Sequence, residues 1–293
     1  MSTIQAITHS GWRGERRCSL RLPSRDGSLP HVRESSGAST RREPLALAAR
    51  DVVQRYGDVI ALDRVSLDVA AGQSVALVGE SGSGKTTLLR CFNRLVEPTS
   101  GVISVGGSNV RDRPSVELRR TIGYVPQDGG LMPHWRILRN VALVPTLLGI
   151  PNASAVATDT LALVGLPAER FGGRFPHELS GGQRQRAALA RALAARPGVV
   201  LMDEPFGALD AITRSDLQAA FDALRHELSF TMLMVTHDLA EAARLADELV
   251  VMRAGRIEQQ GTIERLASSP ATPYVATLLE RALAASAPLR ELA

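Results

Sequence analysis

The sequence predicts an α/β fold built on a parallel sheet, and three observations carry that reading. From Pro44 onward, short apolar runs alternate with segments of helical periodicity. One such run, SVALVG, leads straight into GESGSGKTT and the helical TTLLRCFNRL. Another, VVLMDE, ends in two adjacent acids, and ligands of open α/β sheets gather outside the carboxyl ends of strands.

The elements follow in order. Residues 1–43 are rich in Ser, Gly, Pro and Arg and lack apolar periodicity, which predicts a disordered tail, either a solvated extension (or an over-long gene start) or a segment touching a lipid surface. Arg16 and Arg17 are followed by no apolar segment, so no twin-arginine export signal is read there. LALAARDVVQRY and ALDRVSLDV read as strands of a sheet edge, and SVALVG as a short buried strand. A helix is expected from Lys85 to about Arg94, then a strand over TIGYVPQ, then a region dominated by helix signals from about Ile137 to Arg196 that looks inserted into the core. VVLMDE and TMLMVTHD are further strands, separated by ITRSDLQAAFDALRHEL at helical spacing. ELVVMRAGRIEQQG reads as a hairpin turning at Ala254 and Gly255, and a short helical segment over 271–293 is expected to end the chain.

Composition excludes several classes. The 293 residues are 44% hydrophobic and 4% aromatic, an aliphatic globular composition. The apolar runs are far shorter than the roughly 18 residues that span a bilayer. Cys18 and Cys91 form neither a metal-ligand spacing nor a disulfide framework, which suits a reducing compartment. The net charge of +4 resides in residues 1–43, so the body is balanced and no nucleic-acid partner is expected.

Chemistry concentrates at Lys85. It is the single lysine, every other one of the 34 basic residues being arginine. Gly79, Gly84, Lys85 and Thr86 fit G-x-x-x-x-G-K-[ST], with Glu80, Ser81, Gly82 and Ser83 between and Thr87 following. Glycines let successive N–H groups face phosphate oxygens at a helix N-terminus. A lysine then supplies a compact point charge where arginine's planar fork would not fit. Thr86 is placed to offer its hydroxyl to Mg²⁺. At the end of VVLMDE, Asp203 is the candidate metal holder, directly or through water, and Glu204 the candidate for polarising an attacking water. Gln127, after TIGYVP, could meet the metal or that water.

Two motifs keep a structural and a functional reading side by side. In LSGGQ, Leu179 to Gln183, Ser180 and Gln183 form a capping box, while Gly181 and Gly182 bare a helix N-terminus able to grip an anion. In MVTHD, Asp238 and Glu241 cap the next helix, with His237 at the strand end.

As a set, GESGSGKTT, Gln127, LSGGQ, VVLMDE, GALD and THD resemble the ATP-binding cassette (ABC) ATPases over about residues 44–270. The resemblance implies a P-loop, RecA-like core with an N-terminal antiparallel β subdomain and a helical subdomain at roughly 128–190. It implies ATP and Mg²⁺, with Tyr56 stacking on adenine and His237 contacting the γ-phosphate and steadying Glu204's water. It also implies a head-to-tail dimer, Ser180 and Gly182 closing on the partner's ATP and Asp210 at the seam. GGLMPHW, NVALVPTLLG and RFPHELSGGQRQR are similar to the glycine betaine/choline importer ATPases, although Met132 and Ala211 depart from that subfamily's usual Phe and Pro.

That resemblance implies a transport ATPase at the cytoplasmic face of a membrane, partnered by a second cassette, permease subunits and a substrate-binding protein. The segment at His134 and Trp135 is expected to meet the permease, unless Trp135 simply packs within the helical subdomain. No CBS domains are expected after the cassette. Importers of amino acids or other small solutes, single-cassette exporters and soluble ABC proteins are the competing classes. The last is disfavoured because residues 88–178 are too short a stretch for long coiled coils and the two cysteines are scattered.

Overall fold

The structure is a computed structural model that describes residues 42–207 and 209–290. The arginine-rich tail expected over residues 1–43 lies outside the described residues except for its last two positions.

Strands β1 (Leu47–Tyr56) and β2 (Val59–Val69) form a hairpin, followed by β3 (Ser74–Val78), α1 (Lys85–Phe92), β4 (Ser100–Val105), β5 (Ser108–Asn109), α2 (Ser115–Thr121) and β6 (Ile122–Val125). Four helices follow: α3 (Ile137–Leu147), α4 (Ala153–Leu163), α5 (Ala168–Phe171) and α6 (Gly181–Leu193). The chain then runs through β7 (Val199–Asp203), α7 (Ala211–Leu228), β8 (Thr231–Val235), α8 (Leu239–Leu245), β9 (Glu248–Arg253), β10 (Arg256–Gly261), α9 (Ile263–Ser268) and α10 (Pro273–Arg290).

Two sheets result. One is antiparallel, in the order β2-β1-β4-β5; the other runs β10-β9-β3-β8-β7-β6, parallel except for the β9–β10 hairpin. β1 is therefore interior to its sheet and not an edge, because β4, which the sequence reading did not resolve, pairs with its free side. β6 stops at Val125, since Pro126 has no N–H to give the ladder. α1 stops at Phe92, two residues before the expected end.

β3, β7 and β8 are buried along their whole lengths, as parallel strands covered on both faces must be. Their side chains alternate between two cores. Val78, Val200, Met202, Met232 and Met234 pack with the helices α3, α4, α6 and α7, whereas Val75, Leu77, Val199, Leu201, Leu233 and Val235 pack with α1 and the antiparallel sheet. The period-two alternation thus clamps the parallel sheet between two layers and holds the carboxyl ends of β3, β7 and β8 in fixed register.

Candidate nucleotide site

The loop after β3 is built by close approaches. Gly79 has φ +143°, and a Cβ there would lie 2.1 Å from the carbonyl oxygen of Met252 on β9. The loop is also tied to its neighbours by hydrogen bonds from Gly255 N–H to Ser83 O (3.2 Å) and from Glu80 N–H to the hydroxyl of Tyr274 on α10 (3.1 Å).

Lys85 is buried, and its ammonium donates to Gly79 O (2.9 Å), Glu80 O (2.7 Å) and Ser83 Oγ (3.2 Å). Burial pulls its pKa below the ordinary lysine value, opposed by the charges of Glu204, Glu80 and Asp203. Among the described residues no carboxylate forms an ion pair with it. It sits at the first turn of α1, whose N-cap Gly84 offers no side-chain cap. A buried ammonium without a carboxylate partner, at an uncapped helix N-terminus, has the chemistry to attract an anion such as phosphate.

The hydroxyl of Thr86 donates to Asp203 Oδ1 at 2.8 Å, and Arg90 Nη2 meets Oδ2 at 3.1 Å. Asp203 is buried. Sequence reasoning missed Arg90, yet it lies four positions after Thr86 on α1 and so shares its face. Hydroxyl and carboxylate are the hard oxygen donors Mg²⁺ takes. Among the described residues no cluster of three or more His, Cys, Asp or Glu could hold a metal.

Glu204 follows β7 in a left-handed conformation, φ +49°, pinned by its N–H to Val235 O at 2.9 Å. A side chain other than glycine is strained there, and such strain clusters at functional sites. Its Oε2 accepts from Gln127 Nε2 at 3.2 Å and lies 3.5 Å from His237 Nδ1. Two residues from the ends of neighbouring strands therefore converge on one oxygen of Glu204.

Lys85 with its loop, Thr86, Asp203, Glu204, Gln127 and His237 thus come together, while among the described residues no hydrogen bond or ion pair ties Tyr56, Ser180, Gly182 or Asp210 to them. Tyr56 is half exposed at the end of β1. Ser180 caps α6, the capping box with Gln183 being formed in both directions (3.1 and 3.2 Å). Gly182 packs so tightly on α7 that a Cβ would be 2.7 Å from Thr213 Cγ2. Asp210 caps α7 through Thr213 N–H at 3.0 Å, a bond that lowers its pKa. Among the described residues no hydrogen bond or ion pair links Leu179, Ser180, Gly181, Gly182 or Gln183 to the phosphate loop.

One expectation is corrected. Asp238 does cap α8, accepting from Ala240 and Glu241 N–H, but Glu241 does not turn back to it; Asp238 N–H bonds Thr236 Oγ1 instead. Trp135 is half-buried, with the Arg139 guanidinium 4.2 Å from its ring centre.

A family model described as ABC transporter matches residues 62–207. The chain is 48% identical over 217 residues to the Bacillus subtilis glycine betaine/carnitine/choline transport ATP-binding protein OpuCA, a match covering 73% of this chain and 57% of that relative. It is 44% identical over 226 residues to the Escherichia coli glycine betaine uptake system ATP-binding protein YehX, covering 76% and 73%. Among solved structures, a dimeric ATP-binding cassette in a post-hydrolysis state with ADP and Pi superposes with TM-score 0.68 at 32% identity, covering 74% of this chain and 98% of that one. The first three curated relatives are matched over only 54–65% of their own length.

Proposed function

The chain belongs to the ABC transporter family, and we propose that it is the ATP-hydrolysing subunit of an importer for glycine betaine, choline or a related quaternary amine. The convergence of Gln127 and His237 on Glu204 Oε2, beside Lys85 and the Thr86–Asp203 pair, carries the ATPase reading. The similarity to amine-transport ATP-binding proteins supports the solute class.

Lys85 and the N–H groups of its loop bind the β- and γ-phosphates of ATP, and Tyr56 stacks on the base. Thr86 and Asp203, with Gln127, would hold Mg²⁺, which when bound neutralises charge on the phosphate oxygens. Glu204 orients a water and takes its proton as the oxygen attacks the γ-phosphorus and ADP leaves. Gln127 and His237 hold Glu204 in the orientation that this proton transfer needs.

The reading includes a second copy of the cassette, whose Leu179–Gln183 stretch caps the bound ATP from across a seam containing Asp210. Permease subunits and a substrate-binding protein complete the system, and nucleic acid is no partner. No described helix is long and apolar enough to cross a membrane; the reading puts the chain at the cytoplasmic face, attached through the permease.

Uptake tests the reading. Cells lacking the gene are complemented with wild type or Glu204→Gln and given labelled glycine betaine or choline at high osmolarity. Uptake restored by wild type alone supports both solute class and carboxylate. If wild type hydrolyses ATP yet restores no amine uptake, the solute class is wrong and another small solute is carried.

A further inference from the structure

Glu241 is a buried carboxyl that the mechanism above does not use. It lies on α8, 6% exposed, and among the described residues it has no ion pair. Its partners are neutral: the hydroxyl of Thr236 donates to Oε2, and Gln218 Nε2 on α7 donates to Oε1 at 3.5 Å. Burying a carboxyl without a cation is costly, so its retention calls for a task.

Thr236 shows what the task is. Its hydroxyl accepts the N–H of Asp238 at 3.0 Å, which leaves its own hydrogen to point at Glu241. Its backbone N–H bonds Leu77 O on β3 at 3.2 Å. The residues on both sides of His237 are therefore fixed. His237 itself has a side chain 66% exposed and touches the site through Glu204 alone among its ion-pair contacts, so the backbone of this turn sets where its ring points.

The same network reaches α7 at two points. Arg214 lies 3.7 Å from Asp238, and Gln218 bonds both Glu241 and Arg244 (3.4 Å). Asp210, just before α7, caps its first turn.

We propose that Glu241 is a positioning residue for ATP hydrolysis: through Thr236 it locks the turn carrying His237, and through Gln218 it fastens that turn to α7. The inference rests on the ATPase reading. A lock on orientation acts on the chemical step and leaves nucleotide binding by Lys85 and its loop untouched.

The test is steady-state ATP hydrolysis by the purified full chain, with ATP binding and thermal unfolding measured on each variant. Thr236→Val, which keeps the shape and loses the hydroxyl, is expected to lower kcat about tenfold with KM for ATP within about twofold. Thr236→Ser restores the hydroxyl and with it kcat. Glu241→Gln keeps an acceptor for Thr236 but sets amide against amide at Gln218, so its kcat falls between the two. The proposal is overturned if Thr236→Val keeps wild-type kcat, or if Thr236→Ser fails to restore kcat while binding ATP and unfolding as wild type does. If the wild type binds ATP but hydrolyses none, this inference falls together with the ATPase reading; wild-type turnover with an unaffected Thr236→Val sinks this inference alone.

Discussion

Thr86 and Asp203, 117 positions apart in the chain, are joined by a 2.8 Å hydrogen bond from hydroxyl to carboxylate. The bond links the first turn of α1 to the end of β7, so the two oxygens proposed for Mg²⁺ are already side by side. Thr86→Val removes one of them without changing shape. Hydrolysis is expected to fall about tenfold or more, with the Mg²⁺ concentration for half-maximal rate moving upward, measured by titrating Mg²⁺ at saturating ATP.

Lys85 presents a second prediction. Its ammonium fits between two loop carbonyls and Ser83 Oγ, a space shaped for a compact donor. Lys85→Arg keeps the charge and misfits the space. ATP affinity should drop about tenfold or more, as read by displacement of a fluorescent nucleotide, with secondary structure unchanged.

Gly79 is a stability prediction. A Cβ would fall 2.1 Å from Met252 O on a backbone at φ +143°. Gly79→Ala is expected to destabilise the fold by about 2–4 kcal/mol, seen as a lowered midpoint in urea unfolding. An unchanged midpoint would mean the loop and β9 separate easily.

Glu241 predicts a pH dependence. Burial raises its pKa above 4.5, with Asp238 adding to the rise, while the bonds from Thr236 and Gln218 and the charge of Arg214 oppose it. The folded state therefore holds this proton more tightly than the unfolded state. Its contribution to stability is full below pH 4.5 and is lost as pH rises through the folded pKa. Glu241→Gln cannot titrate, so its stability relative to wild type should rise with pH over that window. Thermal midpoints of both proteins across the range would show it.

Much of this architecture was legible in the sequence because its signals are local. The glycines and lysine of residues 79–87, the Ser180–Gln183 capping box and the turn at Ala254 and Gly255, both at positive φ, each depend on a few adjacent residues. What stayed hidden depends on pairing at a distance. β4 opens on Ser and Gly and is only half apolar, and β5 is two residues long, so the interior place of β1 could not be read. Glu241 reads as a cap from its spacing to Asp238, and only the fold brings Thr236 and Gln218 to it. Gln127 and His237 were each weak alone; their shared oxygen on Glu204 joins them.

The central claim is that Glu204 is the general base of an ATPase. The most direct measurement is ATP hydrolysis and ATP binding by purified wild type and Glu204→Gln. The amide keeps the shape and the bond from Gln127 but accepts no proton. Wild type is expected to turn over ATP, Glu204→Gln to lose kcat by about 10²-fold or more, and both to keep ATP affinity. Turnover by Glu204→Gln close to that of wild type would contradict the claim.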